Sequence, residues 1–547
     1  MRFLPPTACR ALALAALIAA PVAAPAAQTT DLFTVRKNFE LFGRIYELLA
    51  SEYVDAVDAE ALMRTGLGAM TGALDPYTVF FDEATAAQGR LEQGQDVGGV
   101  GLVVQAREGG LGVAAVLDGS SAETQGLRPG DRVTSIAGRE GLTAETATAL
   151  LRGQPGSTVE VVVTREGEAA PLRFVLIRQE ADRTLVPYAG WAGAPSDGVA
   201  VVRLASFLGT ATADVSAALA RLQSEGTVRA VVLDLRGNGG GLLEEAVSLA
   251  GLFLPANTLV TATRGRADGT SQAYHTREAP LFPDLPVAVL TDGQSASASE
   301  IVAGALQDHD RAVVVGETSF GKGLVQVVRP LAYGTALKIT VSRYTTPSGR
   351  EIQRLDYHQG ERAAAVPDSL RRTFRTGRGR TVRSGGGIEP DVAVDLGAES
   401  ELEAALVRAA AFERFANRYR AQHDALPAAF RADAALLADF RRFVEADGVT
   451  YQTSAERAAD ALAADLSTAG YNAASELTAL RRAVEREKAR DFERHATRLG
   501  ARLVREILSR YVGPRDLTAA LLADDPVLAR ARALVLDGPA LARTLGR

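Results

Sequence analysis

The chain has 547 residues, 47% hydrophobic and 23% charged, with a formal net charge of −6 and a pI of about 5.7. A chain this long outgrows a single hydrophobic core, so about two to four domains are expected, and the composition fits neither a disordered chain nor a polytopic membrane protein. Its mild acidity gives no electrostatic footprint for nucleic acid.

Arg2 and Arg10 flank the start of the apolar run at 11–20, which Pro21 and small residues follow. That layout reads as a secretory signal peptide over 1–27, with cleavage after Ala24 or Ala27 and a mature chain starting near Gln28. The run is shorter than the ~20 apolar residues that span a bilayer, so an exported, soluble protein of the periplasm or cell envelope is expected. Removing two arginines and no acids takes the charge from −6 to −8. Cys9, the only cysteine, would leave with the leader. A mature chain without thiols excludes disulfides, a thiolate nucleophile and zinc–thiolate sites.

Residues 31 to about 90 read as helices, with Leu41, Ile45, Leu48 and Leu49 on one face and a break at Leu74-Asp75-Pro76-Tyr77. From Gly98 short β-branched runs punctuated by glycine take over: GVGLVVQA, LGVAAVL, DRVTSIAG and VEVVVTR, with one helical stretch, TAETATALLRG, before the last. From Gly198 strands and helices alternate: VAVVRL, a helix over 211–223, AVVLDL, a helix from Leu242, PVAVL, a helix from Ala298, then AVVVG. Such alternation predicts an α/β sheet domain. Beyond about residue 398 the chain is rich in Ala, Arg, Leu and Glu, without a sustained heptad, and reads as a bundle of short helices rather than a coiled coil.

Three segments carry chemistry. Asp234-Leu235-Arg236-Gly237-Asn238-Gly239-Gly240-Gly241 joins a strand to a helix, where crowded amides and a helix N-terminus favour an anion or a developing oxyanion. Counted as a dinucleotide fingerprint from Gly237 it fails, because Leu242 stands where the last glycine belongs; a tight turn without a ligand stays open. Asp292-Gly293-Gln294-Ser295-Ala296-Ser297-Ala298-Ser299-Glu300 also leads into a helix. Ser297 and Glu300 have the spacing of a capping box, yet a hydroxyl among alanines at a helix start equally suits a nucleophile. The residues alone do not choose among its three serines. Gly316-Glu317-Thr318-Ser319-Phe320-Gly321-Lys322-Gly323 is a near miss to a P-loop, with Gly323 in place of the magnesium-binding Ser or Thr and a strand, LVQVV, in place of the helix. Lys322 lies among glycines and apolar residues, and a desolvated, neutral lysine can serve as general base to a serine. The five histidines, His275, His309, His358, His423 and His495, lie in no nucleophile-elbow context, so a Ser-His-Asp triad is the weaker enzyme reading.

In this order TDGQSASASEI, GETSFGKGLVQ and DLRGNGGG resemble the core motifs of the carboxy-terminal processing (tail-specific) proteases. The likeness extends to LDPYTVFF at 74–81, GLRPGDRVTSIAG at 126–138 and GGGIEPDV at 385–392, covering residues 35 to about 397. The resemblance implies Ser297 as nucleophile, Lys322 as general base and Gln326 as the group that orients the lysine. It places oxyanion donors on Ala298 and on Gly240 or Gly241, with Glu300 and Ser319 in support. It also implies a multidomain α/β fold: a ClpP/crotonase-like serine-protease core, an inserted PDZ domain and a C-terminal all-helical region. The expected segments are a leader at 1–27, helices at 28–85, PDZ domain at 86–180, protease core at 181–397 and helices at 398–547, with the core also drawing on the N-terminal helices. In the PDZ domain the loop at Val100, Gly101 and Leu102 is expected to hold a terminal carboxylate while the next strand adds the peptide to a sheet edge. The implied partners are polypeptides with apolar C-termini, and the implied chemistry needs no metal or organic cofactor. An adaptor protein, peripheral membrane association and a homo-oligomer stay open. So do two rivals, a non-catalytic PDZ scaffold and a binder of hydrophobic ligands on the same core.

Overall fold

The computed structural model describes residues 32–83, 85–86, 98–107, 110–180, 185–267, 270–357, 364–397, 399–427 and 430–547; the expected leader at 1–27 lies outside them. The chain forms two compact units, Met1–Ala73 and Leu74–Arg547. The first contains the helices Leu32–Glu52 and Ala59–Gly72. Asp58 starts the second helix by accepting the N–H groups of Glu60 and Ala61, both at 3.0 Å, and the Tyr46 hydroxyl donates to Ala59 O at 2.8 Å.

The second unit opens on a turn in which Asp75 Oδ1 accepts the N–H groups of Tyr77 and Thr78, both at 2.8 Å. Val79–Phe81 then forms a strand, not the helix that the sequence predicts there. Its Val-Phe-Phe sequence favours a pleated surface, and it pairs antiparallel with Ala336–Thr345, Val79 facing Lys338.

The β-rich segment is a five-stranded antiparallel sheet, Leu102–Arg107, Gly110–Val116, Arg132–Ile136, Thr158–Thr164 and Leu172–Ile177, in chain order. The helix Ala144–Leu151 packs on it through Ala147 and Leu151. Leu102–Arg107 is its end strand, preceded by Gly101 at φ 75°.

The central sheet has the order 392–393, 313–316, 287–291, 230–234, 199–203, 188–191. All its neighbours are parallel except the last pair. Strands such as Val287–Thr291 are buried throughout, as a sheet covered on both faces requires. On one face Val202, Leu233 and Val289 pack against Leu219, Leu249 and Val302 from the helices Ala211–Glu225, Leu243–Gly251 and Ala298–Asp308. Beside it stands a second, antiparallel sheet in which Ala336–Thr345 pairs with 79–81, Leu259–Gly265 and Leu324–Pro330. Its strands at 259–265, 272–275 and 336–345 were not anticipated from the sequence.

The region expected to be helical from 398 onward is helical, but it serves two cores. Leu402, Phe412, Phe415, Phe440, Leu499 and Leu503 form the interior of a bundle. The helices Pro526–Leu536 and Gly538–Thr544 instead cover the outer face of the central sheet, placing Val527, Leu534 and Leu541 against Val201, Val232 and Leu290. Among the described residues no helix is long and apolar enough to cross a membrane.

Candidate active site

The three motifs meet at the C-terminal ends of strands 230–234, 287–291 and 313–316. This is where an open α/β sheet presents its loops. Asp292 ties the first two together. Its carboxylate accepts Gly237 N–H at 3.0 and 3.1 Å and, in its own loop, the N–H groups of Gln294 and Ser295 at 3.0 Å. Asn238, fully buried, adds a second tie: its carbonyl accepts Ala296 N–H at 3.0 Å and Ser299 Oγ–H at 2.9 Å.

Ser297 stands immediately before the helix Ala298–Asp308 with φ 56° and ψ −111°, a conformation costing a non-glycine residue about 1–3 kcal/mol. An ordinary N-cap has extended dihedrals and a side chain bonded to the helix amides. Here the hydroxyl makes no such bond, while Glu300 Oε2 accepts Ser297 N–H at 2.8 Å. The strain presents the hydroxyl at the helix N-terminus beside Ala298, whose N–H has no intrahelical partner by position.

Glu300 is fully buried and organises the third motif. Besides Ser297 N–H its carboxylate accepts Lys322 N–H at 2.9 Å, Gly321 N–H at 2.7 Å and Ser319 Oγ–H at 2.5 Å. Burial pushes its pKa above the usual glutamate value, and these donors act in the opposite direction. Ser319 Oγ in turn accepts Ile388 N–H at 2.7 Å, which brings in the GGGIEPDV segment. From the other side Tyr344, buried in the strand Ala336–Thr345, donates its hydroxyl towards Lys322 O at 2.6 Å and Ser297 O at 3.2 Å. Glu300 thus holds the amides, and Tyr344 the carbonyls, of the same two residues.

Lys322 is half-buried. Burial lowers its pKa below the usual lysine value; the neighbouring Lys338 cation adds to the lowering, and Glu300 opposes it. The ammonium lies 4.9 Å from the centre of the Tyr77 ring, and Tyr77 meets Tyr357 edge-on at 6.1 Å. Among the described residues no hydrogen bond joins Ser297 Oγ to Lys322 Nζ, and Gln326 Nε2 donates to Thr340 Oγ1 at 3.2 Å. A cavity of about 490 Å³ adjoins the site, lined by Leu324, Thr340, Gln353 and Tyr357.

The two glycines singled out for the oxyanion differ. The Gly240 N–H donates to Asn238 Oδ1 at 2.9 Å, and a Cβ there would lie 2.7–2.9 Å from Ala296 O, Ser297 Cβ and Ala298 N. Gly240 therefore lets the loop close on the serine. Gly241, exposed, has φ 152°, and a Cβ on it would meet Phe207 O at 2.2 Å. In the antiparallel domain Val100 is buried, with its carbonyl accepting Ala122 N–H at 3.0 Å, and Gly101 O accepts Leu117 N–H at 2.8 Å. Leu102 opens the edge strand.

Sequence reasoning missed Tyr344, Tyr77 and the ties made by Asp292 and Asn238. Glu300 reaches the Lys322 main chain from a different motif, a contact that the order of residues does not display. Asp292, Asn238 and Tyr77 lay inside quoted motifs, whereas Tyr344 carried no signal beyond that of a core aromatic.

An α/β core with a serine and a lysine brought together at its strand ends, joined to an antiparallel PDZ-type sheet, defines the serine peptidase class. Residues 198–358 match Peptidase family S41, 112–165 a PDZ domain, and 402–535 a probable PDZ-protease C-terminal helical domain. The chain is 34% identical over 322 residues to a carboxy-terminal-processing protease of Bartonella bacilliformis, covering 58% of this chain and 73% of that one. It is 34% identical over 296 residues to the carboxyl-terminal-processing protease of Synechocystis sp., covering 53% and 68%. The solved photosystem II D1 C-terminal processing protease is 27% identical, with a TM-score of 0.38 over 66% of this chain and 86% of that one. This chain belongs to the carboxy-terminal processing protease family.

Proposed function

We propose that this chain is an exported endopeptidase that selects polypeptides by their C-terminal tails and cuts them with a Ser297–Lys322 pair. The observation that carries the reading is the double clip by Glu300 and Tyr344 on the main chains of these two residues, because it fixes a serine and a lysine from separate motifs side by side. In the proposed reaction Ser297 Oγ attacks the scissile carbonyl carbon while neutral Lys322 Nζ takes the hydroxyl proton. The ammonium returns that proton to the leaving amine as the C–N bond breaks, and an acyl-enzyme remains. Water then attacks the ester, giving its proton to Lys322, and Ser297 Oγ leaves with a proton as the acid product departs. Each tetrahedral oxyanion is assigned to the N–H groups of Ala298 and Gly241, since the Gly240 N–H is already committed to Asn238. Gln326 is assigned as the lysine's partner: its Oε1 can accept from Lys322 Nζ while its Nε2 stays on Thr340 Oγ1. Glu300 and Ser319 keep both segments in place.

The boundaries 86–180 for the PDZ domain and 181–397 for the protease core belong to this proposal, with the leader at 1–27 as its basis for export. Val100, Gly101 and Leu102 are assigned the peptide carboxylate and Leu102–Arg107 the peptide strand.

The test compares wild type, Ser297→Ala and Lys322→Ala, all without the leader, on an unfolded protein ending in an apolar or a charged tail. Wild type alone should cut, faster with the apolar tail, and each variant should lose about a thousandfold or more. Activity surviving in both variants refutes the pair, and equal rates on both tails refute tail selection.

A further inference from the structure

The segment 239–241 of the glycine loop has no side chains to anchor it. Gly237, Gly240 and Gly241 have φ of 72°, 101° and 152°, conformations open to glycine at a cost in chain entropy. Its main chain is held at Gly240, whose carbonyl accepts Phe207 N–H at 3.0 Å and Ser206 Oγ–H at 3.2 Å and whose N–H donates to Asn238 Oδ1 at 2.9 Å. Its entrance is held separately, by Gly237 N–H on Asp292 and by Arg236, whose Nε and Nη2 form a fork on Asp234 at 2.9 and 2.8 Å and whose Nη1 donates to Asp525 Oδ2 at 2.6 Å. Asp525 lies 289 residues away, at the start of the helix Pro526–Leu536. Its second oxygen, Oδ1, accepts the N–H groups of Val527 and Leu528 at 2.8 and 2.9 Å. The side chains of Arg236 and Asp525 are 15% and 16% exposed, that of Asp234 not at all, so the pair is weakly screened and geometrically defined. Asp234 alone already provides the fork and neutralises the guanidinium. The contact with Asp525 adds a fixed direction, tying the loop entrance to a helix packed along the central sheet.

We propose that Asp525 is a positioning residue for the peptidase reaction: through Arg236 it sets the entrance of the glycine loop, and with it the loop's main chain, against Ser297. The proposal rests on the reading of this loop as an oxyanion site. An oxyanion contact forms in the transition state, so displacing its donor lowers kcat and leaves KM nearly unchanged.

Asp525→Asn isolates the effect. Asparagine is as good an N-cap as aspartate, and with its oxygen on Val527 and Leu528 it turns an NH2 group towards Arg236 Nη1, donor against donor. The control is Val535→Ala, which removes packing from the same helix at a buried residue without touching the loop. With the leaderless full chain and an apolar-tailed unfolded substrate, Asp525→Asn should lower kcat about tenfold with KM within about twofold. Val535→Ala should lower the melting temperature and keep the wild-type kcat. Wild-type kcat in Asp525→Asn overturns the proposal, as does an equal fall in kcat in Val535→Ala. Failure of the underlying reading has a different signature, wild type no more active than Ser297→Ala, and would remove both.

Discussion

Replacing Glu300 by Gln keeps its shape and changes its hydrogen-bonding identity. The carboxylate faces four donors: Ser297 and Lys322 N–H at Oε2, Ser319 Oγ–H and Gly321 N–H at Oε1. A glutamine must put an NH2 group at one of these positions. At the first it would meet two main-chain N–H groups, neither able to accept. At the second it meets Ser319 Oγ, an oxygen that can accept, and Gly321 N–H, which cannot. The second orientation is preferred; it orphans the Gly321 N–H and removes the acceptor of the Ser319 hydroxyl proton, at a cost of about 1–3 kcal/mol for each donor left unmet. Glu300→Ala would orphan all four donors, about 4–12 kcal/mol on the same scale, comparable with the ~5–15 kcal/mol that holds a typical protein folded. Glutamine is therefore the informative variant. Urea unfolding should give a lower midpoint with an unchanged slope, together with reduced kcat because the main chains of Ser297 and Lys322 share the site. A Glu300→Gln protein as stable as wild type would refute the four-donor account.

Two other outcomes follow from the same geometry. Because burial and Lys338 lower the Lys322 pKa, kcat/KM should rise with pH as the free lysine loses its proton, with a midpoint below the ordinary lysine value; Lys338→Ala removes one cause of the lowering and should move that midpoint to higher pH, measured as a pH–rate profile. At the tail-binding loop, Gly101→Ala would place a Cβ 2.0 Å from Ser120 Cβ at φ 75°, so KM for an apolar-tailed substrate should rise about tenfold with kcat little changed, read from steady-state cleavage.

The central sheet was legible because its strands, such as VAVVR and VAVLT, are unbroken apolar runs buried on both faces. The second sheet was not. Leu259–Gly265 and Ala336–Thr345 mix Thr, Arg, Lys and Ser with apolar residues on a half-covered surface, and Val79–Phe81 is three residues long with a partner more than 250 positions away. The terminal helices were recognised as helices, but an apolar face that packs on a sheet looks like one that packs in a bundle. At the candidate site, motifs disclosed Ser297, Glu300, Ser319 and Lys322. They could not disclose Tyr344, whose role depends on a strand folding across both loops, nor the commitment of the Gly240 N–H to its own neighbour Asn238.

The covering of the central sheet by residues 522–545 has a consequence for the order in which the molecule is completed. Strands 199–203 and 230–234 precede their cover by nearly three hundred positions. During synthesis the valines and alanines of that face emerge long before the helices that shield them, so the nascent core exposes an apolar face until residues 522–545 dock. The outer face of the sheet is closed, and Arg236 meets Asp525, only when these helices dock.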